Sequence, residues 1–305
     1  MTRVESAPSD SRPIFILGLM QRTGTVFLSD LLALHPDCAV PAPIWEDFLL
    51  AQGDELIRYA DGLVAGWRTN LSLSPDQIPD PLPALGSGLI SMLEGIAGAK
   101  RLIAKTPSVR NLESFFRLFP NACLVILVRD GRAVVESAVR TWDLPYGPMM
   151  RRWAGAAQKV LECDQAWSGV RDSYQIVRYE DLVSDLESEL RRLFQRCNLD
   201  PRAYDFEAAA ALPLRGSSRY LGPAGRPHWQ PVPKPPDFAA QETWRSWSLP
   251  LRQEFQLIAG DVSRRLGYDC EPVSRLAVRA RVRRALNDVR WRLGVRRPMV
   301  GARAR

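Results

Sequence analysis

Histidine is almost missing from this chain, with only His35 and His228 among 305 residues. Cysteine is sparse and scattered, at Cys38, Cys123, Cys163, Cys197 and Cys270, with no Cys-x-x-Cys pair. These shortages argue against a structural zinc site and against a disulfide-stapled domain, and they favour a reducing, cytoplasmic setting. Long apolar runs are lacking as well. The longest near the N-terminus, Ile14 to Met20, falls far short of the roughly 20 residues that a membrane-spanning helix requires. That region also lacks the basic segment and small-residue cleavage site of a secretory signal. The body of the chain has no basic excess either, although the net charge is +7. From Glu271 onward eleven arginines face two acids, Glu271 and Asp288, while the first 270 residues carry 30 basic and 32 acidic groups. The positive charge belongs to a tail, so no nucleic-acid partner is expected for the body.

What is present has the grammar of an α/β domain. Residues 1–12 are polar and rich in Ser and Asp, a predicted disordered lead-in. Pro13 to Leu17 then reads as a strand buried on both faces. It runs through Gly18-Leu19-Met20-Gln21-Arg22-Thr23-Gly24-Thr25 into a helical stretch, Val26 to Leu34, that stops near His35-Pro36. The pattern repeats at Leu124–Val128 with a helix from about Arg132 to Thr141, and at Tyr174–Arg178 with a helix from Leu182 to about Cys197. Arg101–Ala104 reads as a shorter fourth strand, residues 54–98 as helical with a break around Pro75 to Pro83, and residues 213–237 as a long loop. The expectation is a single α/β domain over 13–270, with a central parallel sheet flanked by helices and a P-loop-like nucleotide-binding topology. A basic tail would occupy 271–305.

A glycine loop between a buried strand and a helix is an anion site, because the first helical N–H groups lack partners and the helix dipole is positive there. A loop for a nucleoside triphosphate would end in Gly-Lys-Ser/Thr. Here Gly24 is followed by Thr25 and Val26, and the cation, Arg22, comes before the glycine. A small-molecule kinase using ATP and magnesium is therefore an alternative, disfavoured by the missing lysine.

The segment Gly18 to Thr25 resembles the 5′-phosphosulfate loop of sulfotransferases that use 3′-phosphoadenosine 5′-phosphosulfate (PAPS), whose pattern is Pro-Lys/Arg-Ser-Gly-Thr-Thr. A second resemblance is Leu127-Val128-Arg129-Asp130-Gly131-Arg132 followed by Ser137, and a third is Arg178-Tyr179-Glu180-Asp181-Leu182. They imply an enzyme moving a sulfuryl group from PAPS to a hydroxyl or amine, releasing 3′-phosphoadenosine 5′-phosphate (PAP), with no metal required. By that resemblance Arg22 is the loop cation and Thr23, Gly24 and Thr25 form the phosphate cradle. Arg129 and Ser137 bind the 3′-phosphate, Tyr179 lies near the adenine, and Phe27 falls where some members stack an aromatic on that base. Arg215, in Arg215-Gly216-Ser217-Ser218 with Gly225 and His228-Trp229 beyond, would reach the 3′-phosphate from a covering loop. Gln21 replaces the usual proline and Val26 the second threonine. The latter loses a neutral hydrogen bond of about 1 kcal/mol, so weaker cofactor binding is expected.

The same resemblance offers Arg22 and Lys105 to the charge that develops on the leaving oxygen. A lysine exposed after a short strand is the plainer alternative for Lys105. The histidine base of the phenol- and steroid-sulfating members is absent, since Pro107 and Ser108 follow Lys105-Thr106. Glu46 is the expected base, with Asp47 and His228 behind it; a helix beginning near Phe48 that both carboxylates cap is the competing reading. His35 reads as structural, and Trp244 and Trp247 as packing residues. The acceptor, a small molecule, glycan or lipid, is expected to meet residues 48–100 and 142–170, with Trp142, Tyr146, Met149, Met150 and Trp153 candidates for an apolar pocket. Residues 275–297 could form a basic amphipathic helix against an anionic membrane or acidic partner, or a solvated terminal helix. A catalytically inactive PAP-binding module of the same ancestry is the remaining alternative.

Overall fold

The computed structural model describes residues 12–71, 73–98, 100–215, 231–233 and 240–272. Five strands, β1 (Ile14–Gly18), β2 (Cys38–Ala39), β3 (Arg101–Thr106), β4 (Cys123–Val128) and β5 (Tyr174–Arg178), form one parallel sheet in the order β2-β3-β1-β4-β5. Helix α1 (Thr25–Ala33) follows β1, α2 (Asp54–Asn70) and α3 (Leu82–Ala97) precede β3, and α4 (Phe115–Leu118) precedes β4. Helices α5 (Gly131–Trp142) and α6 (Tyr146–Trp167) join β4 to β5. Beyond β5 come α7 (Tyr179–Ser184), α8 (Leu186–Cys197), α9 (Phe206–Ala210) and α10 (Leu249–Arg265).

Side chains alternate across a strand, so a sheet covered on both faces needs apolar residues at every position. β1 meets that demand. Phe15 and Leu17 join Leu124, Ile126, Phe115, Phe119, Trp153 and Phe255 on one face. Ile14 and Ile16 join Val125 and Leu127, Leu28 and Leu31 of α1, and Leu190 and Phe194 of α8 on the other. β1 lies between β3 and β4, with Ile16 opposite both Lys105 and Val125. The chain leaves β1 toward β2 and β3 and later crosses to β4 and β5. The carboxyl ends of β1, β3 and β4 therefore open onto the crevice where strand order reverses, the usual ligand position in such sheets.

Several local expectations are corrected. β3 continues through Lys105 and Thr106, so Lys105 is a strand residue only 7% exposed rather than an exposed lysine beyond the strand. The single helix expected from Leu182 is two helices. α7 already begins at Tyr179, and Asp185 (φ −141°, ψ 71°) breaks the run and caps α8 by accepting the Ser188 N–H at 3.3 Å. No helix starts near Phe48. That residue has φ +50°, the chain turns through Gly53, and α2 begins at Asp54. Met150 and Trp153 are not pocket residues, since both are fully buried in the core. Trp153 lies flat against Gly131, where a Cβ would come within 2.6 Å of the indole. Among the described residues no helix is long and apolar enough to cross a membrane. The basic segment 275–297 and His228 lie outside the described residues.

Candidate active site

The loop between β1 and α1 is held from within. Thr23 is fully buried, and its hydroxyl donates to the Met20 carbonyl at 2.6 Å. This hydroxyl shapes the loop from below, whereas the resemblance had counted Thr23 in the cradle. Gly24, at φ +107°, is the N-cap of α1. That left-handed backbone favours glycine, and a Cβ there would lie 2.7 Å from the Tyr179 ring. Thr25 is buried beneath Gly18, where an added Cβ would meet its methyl at 2.7 Å. The first helical bond is donated by Leu28 to the Gly24 carbonyl at 3.2 Å. The N–H groups of Thr25, Val26 and Phe27 have no intrahelical acceptor, and no acidic side chain occupies the first turn.

Around this helix mouth the structure gathers Arg22, Ser137 and Arg129 from three elements. Arg22 has φ +77°, and its Nε donates to Ser137 Oγ at 2.9 Å. The Arg22 carbonyl accepts from Arg129 Nη1 at 2.9 Å. Arg129 directly follows β4, is 7% exposed, and lies 4.4 Å over the Tyr179 ring, which in turn meets Phe27 edge-on at 6.1 Å. Burial, and then repulsion from Arg129, lower the Arg22 pKa to about 10. Two crowded guanidiniums above a helix N-terminus form a site whose electrostatic cost a bound anion would offset.

Lys105 and Glu46 make a second group at the end of β3. Lys105 Nζ meets Glu46 Oε1 at 3.2 Å. The segment carrying Glu46 is zipped to the strand, with the Asp47 N–H on the Lys105 carbonyl at 3.1 Å and the Phe48 N–H on Thr106 Oγ1 at 3.0 Å. The two carboxylates are not equivalent. Asp47 accepts the Leu49 N–H at 2.9 Å inside the turn, and its Oδ2 is buried with no hydrogen-bond partner among the described residues. Burial raises the Asp47 pKa, against the Leu49 N–H, which lowers it.

Arg215 reaches Asp30 on α1, at 3.0 Å. Burial raises the Asp30 pKa, while Arg215 and, secondarily, Lys105 oppose that rise. Arg215 is thus held on α1, whereas the resemblance had given it the 3′-phosphate alongside Arg129 and Ser137. His35 is buried below α1, its Nε2 against the Asp200 carbonyl at 3.1 Å and its Nδ1 accepting the Asp37 N–H at 3.2 Å. Trp244 packs under Arg132 at 3.8 Å, and Trp247 donates to buried Glu136 at 2.7 Å, as does the Tyr146 hydroxyl.

Glu180 carries a role that the sequence reading did not give it. Its Oε1 accepts the Asp130 N–H and its Oε2 the Tyr268 hydroxyl, each at 3.0 Å. Burial raises its pKa, against the Asp130 N–H. One carboxyl thereby ties the end of β4, next to Arg129, to the end of β5, next to Tyr179. The acid in Arg178-Tyr179-Glu180-Asp181 is visible in the sequence, but its partner lies 88 residues away.

Gly24→Ala is expected to damage the site and the fold together. A positive φ on a residue with a Cβ and an overlap with Tyr179 cost roughly 1–3 kcal/mol, which for a chain of this size lowers Tm by about 2–5 °C. Scanning calorimetry checks it, and an unchanged Tm with unchanged PAP binding would show that neither the strain nor the overlap matters.

Comparison with known proteins bears on the fold that carries this site. The profile of the sulfotransferase family matches residues 13–203. Nodulation protein NoeE of Sinorhizobium fredii (strain NBRC 101917 / NGR234) is 26% identical over 295 residues, covering 84% of this chain and 65% of that protein. A protein-tyrosine sulfotransferase of Drosophila melanogaster is 28% identical over 200 residues, covering 60% of this chain and 37% of its own length. The chain therefore spans less than two thirds of these relatives. Among solved structures, the sulfotransferase domain of the Synechococcus PCC 7002 olefin synthase superposes with TM-score 0.54 at 24% identity, covering 87% of this chain and 98% of that one. The sulfotransferase domain of the curacin biosynthetic pathway gives TM-score 0.52 at 22% identity, covering 86% and 100%. These two likenesses establish the shared fold.

Proposed function

Because the chain belongs to the sulfotransferase family, we propose that it transfers the sulfuryl group of PAPS to a hydroxyl or amine of its acceptor. The observation that carries this reading is the convergence of Arg22, Ser137 and Arg129 at the N-terminus of α1, on the switch point of the sheet. The residues present fit such a molecule, because the crowded Arg22 and Arg129 beside the unpaired first N–H groups of α1 call for an anion. When bound, PAPS supplies a sulfuryl group carried on a phosphate leaving group.

The protein's own contributions follow from placement. The N–H groups of Thr25, Val26 and Phe27 and the Arg22 guanidinium serve the 5′ end. Arg129 and Ser137 serve the 3′-phosphate, with the Arg129 fork suited to two parallel hydrogen bonds. Phe27 and Tyr179 offer ring faces to the base. Arg22 and Lys105 stabilise negative charge as it shifts to the leaving oxygen, where a fixed cation does more for the transition state than for the ground state. Glu46 takes the proton of the acceptor hydroxyl or amine, and Lys105 orients its carboxylate until the acceptor arrives. Val26 withholds a hydroxyl, so a gain in PAP affinity on Val26→Thr is part of the same reading.

The test is calorimetric titration with PAP beside ATP plus magnesium, followed by transfer of radiolabelled sulfur from PAPS. Tight PAP binding with weak ATP binding supports the assignment. Preference for ATP and magnesium would replace it with a small-molecule kinase. PAP binding without transfer to any acceptor would make the chain an inactive PAP-binding module.

A further inference from the structure

Spacing in the sequence brings no two cysteines together, but the fold does. Cys123 opens β4 and Cys197 closes α8, 74 residues further on, and their sulfurs lie 2.7 Å apart. Both side chains are fully buried, on the sheet face that α1 and α8 cover. Cys38 of β2 belongs to the same cluster. Cys38 pairs in register with Arg101 and Cys123 with Ile14, the first residues of β3 and β1, so these thiols mark the amino edge of the sheet. Arg101, itself 7% exposed, donates from Nη1 to the Cys197 carbonyl.

Two sulfurs at this separation are well inside their van der Waals contact. A thiol is a weak donor and a weak acceptor, so hydrogen bonding alone gains little from so tight an approach. An S–S bond of about 2.05 Å needs the same two atoms to close by less than about 1 Å. We propose that Cys123 and Cys197 are a disulfide site, closed by a small-molecule disulfide such as oxidised glutathione, and that the bond locks α8 to β4. One cysteine thiolate attacks a sulfur of oxidised glutathione, forming a mixed disulfide and releasing one glutathione thiolate. The other cysteine thiolate then attacks the protein sulfur of that mixed disulfide. The S–S bond forms and a second glutathione thiolate leaves, so the two thiol protons end on the two glutathiones. The protein loses two electrons and one oxidised glutathione gains them. The Cys123 sulfur, and then burial, push the Cys197 pKa up, while the Arg101 guanidinium opposes both. Exchange is therefore slow and waits for the last turn of α8 to open, on a scale of minutes to hours. The site lies at the opposite edge of the sheet from Arg22, Lys105 and Arg129, so it acts on stability and is independent of the sulfotransferase reading.

The test incubates the full-length protein, reduced and then freed of reductant, with oxidised glutathione, followed by alkylation in denaturant and digestion. A linked peptide pair carrying Cys123 and Cys197 is expected, with an intact mass lower by two hydrogens. Tm should rise by about 3–7 °C over a control kept in dithiothreitol, because the bond restricts the unfolded chain. Cys38→Ala should keep the link and the shift, and Cys123→Ala should lose both. The wild-type peptide map stands without these variants, should one of them fold poorly. All five cysteines alkylated after oxidation, glutathione adducts alone, or a link made to Cys38 would overturn the site. A Cys123–Cys197 link with an unchanged Tm would overturn the lock.

Discussion

Arg129→Ala is expected to weaken PAP binding by about a hundredfold, since hydrogen bonds to a charged group are worth roughly 1.5–3 kcal/mol each when both partners are desolvated. Three consequences coincide in that one substitution. The fork aimed at the 3′-phosphate is lost, the Arg22 carbonyl loses the donor now 2.9 Å away, and the Tyr179 ring loses the cation stacked on it at 4.4 Å. Arg129→Lys restores the charge without the planar fork and should fall between wild type and alanine. Ser137→Ala removes one neutral partner and should cost only about 1 kcal/mol. Titration calorimetry on the three variants orders them. Equal affinity in wild type and Arg129→Ala would mean that the 3′-phosphate does not sit at the end of β4.

Turnover should respond to the other side of the crevice. Lys105→Met is expected to lower kcat by about 10²–10³, the usual loss when one preorganised group facing developing charge is removed. Glu46→Gln should cost at least about tenfold, the lower part of the range for a general base, while PAP affinity stays near that of wild type. Asp47→Asn is the discriminating control. Asp47 is spent on the turn, through the Leu49 N–H, and its free oxygen is buried. Its substitution should therefore move Tm more than kcat. Steady-state rates with saturating PAPS read all three. An unchanged rate in Glu46→Gln with a collapsed rate in Asp47→Asn would transfer the base to Asp47.

Much of the fold was legible because its signals are local. A parallel sheet buried on both faces spells its strands as aliphatic runs, and Tyr174–Arg178 was readable to the residue. Glycines and prolines mark the turns between strands and helices, so the α/β class followed. The errors share a cause. Lys105 interrupts an apolar run, yet pairing with β1 carries the strand past it, because the Glu46 carboxylate, 59 residues away in sequence, meets its ammonium. The break at Asp185 hides inside a helical period. Met150 and Trp153 look like pocket residues until α10, about a hundred residues later, closes over them through Phe255, 5.9 Å from the Trp153 ring. In the site, the residues of the strand-loop-helix unit were named through a family resemblance, whose motif is contiguous in sequence. Glu180 and Asp30 could not be named so, because what gives each a role is a partner, Tyr268 or Arg215, that local sequence does not point to.

The Glu180 tie has a consequence for the order in which the protein is made. Synthesis runs from the N-terminus, and β1 to β5 can pair once Arg178 has emerged. The Asp130 half of the tie can form as soon as β5 and Glu180 are in place, but the other carboxylate oxygen meets Tyr268, which follows α10, so the tie is complete only when 88 further residues are available. A chain that ends after α8 keeps the Asp130 contact but leaves the second Glu180 oxygen, beside Tyr179, without its Tyr268 partner.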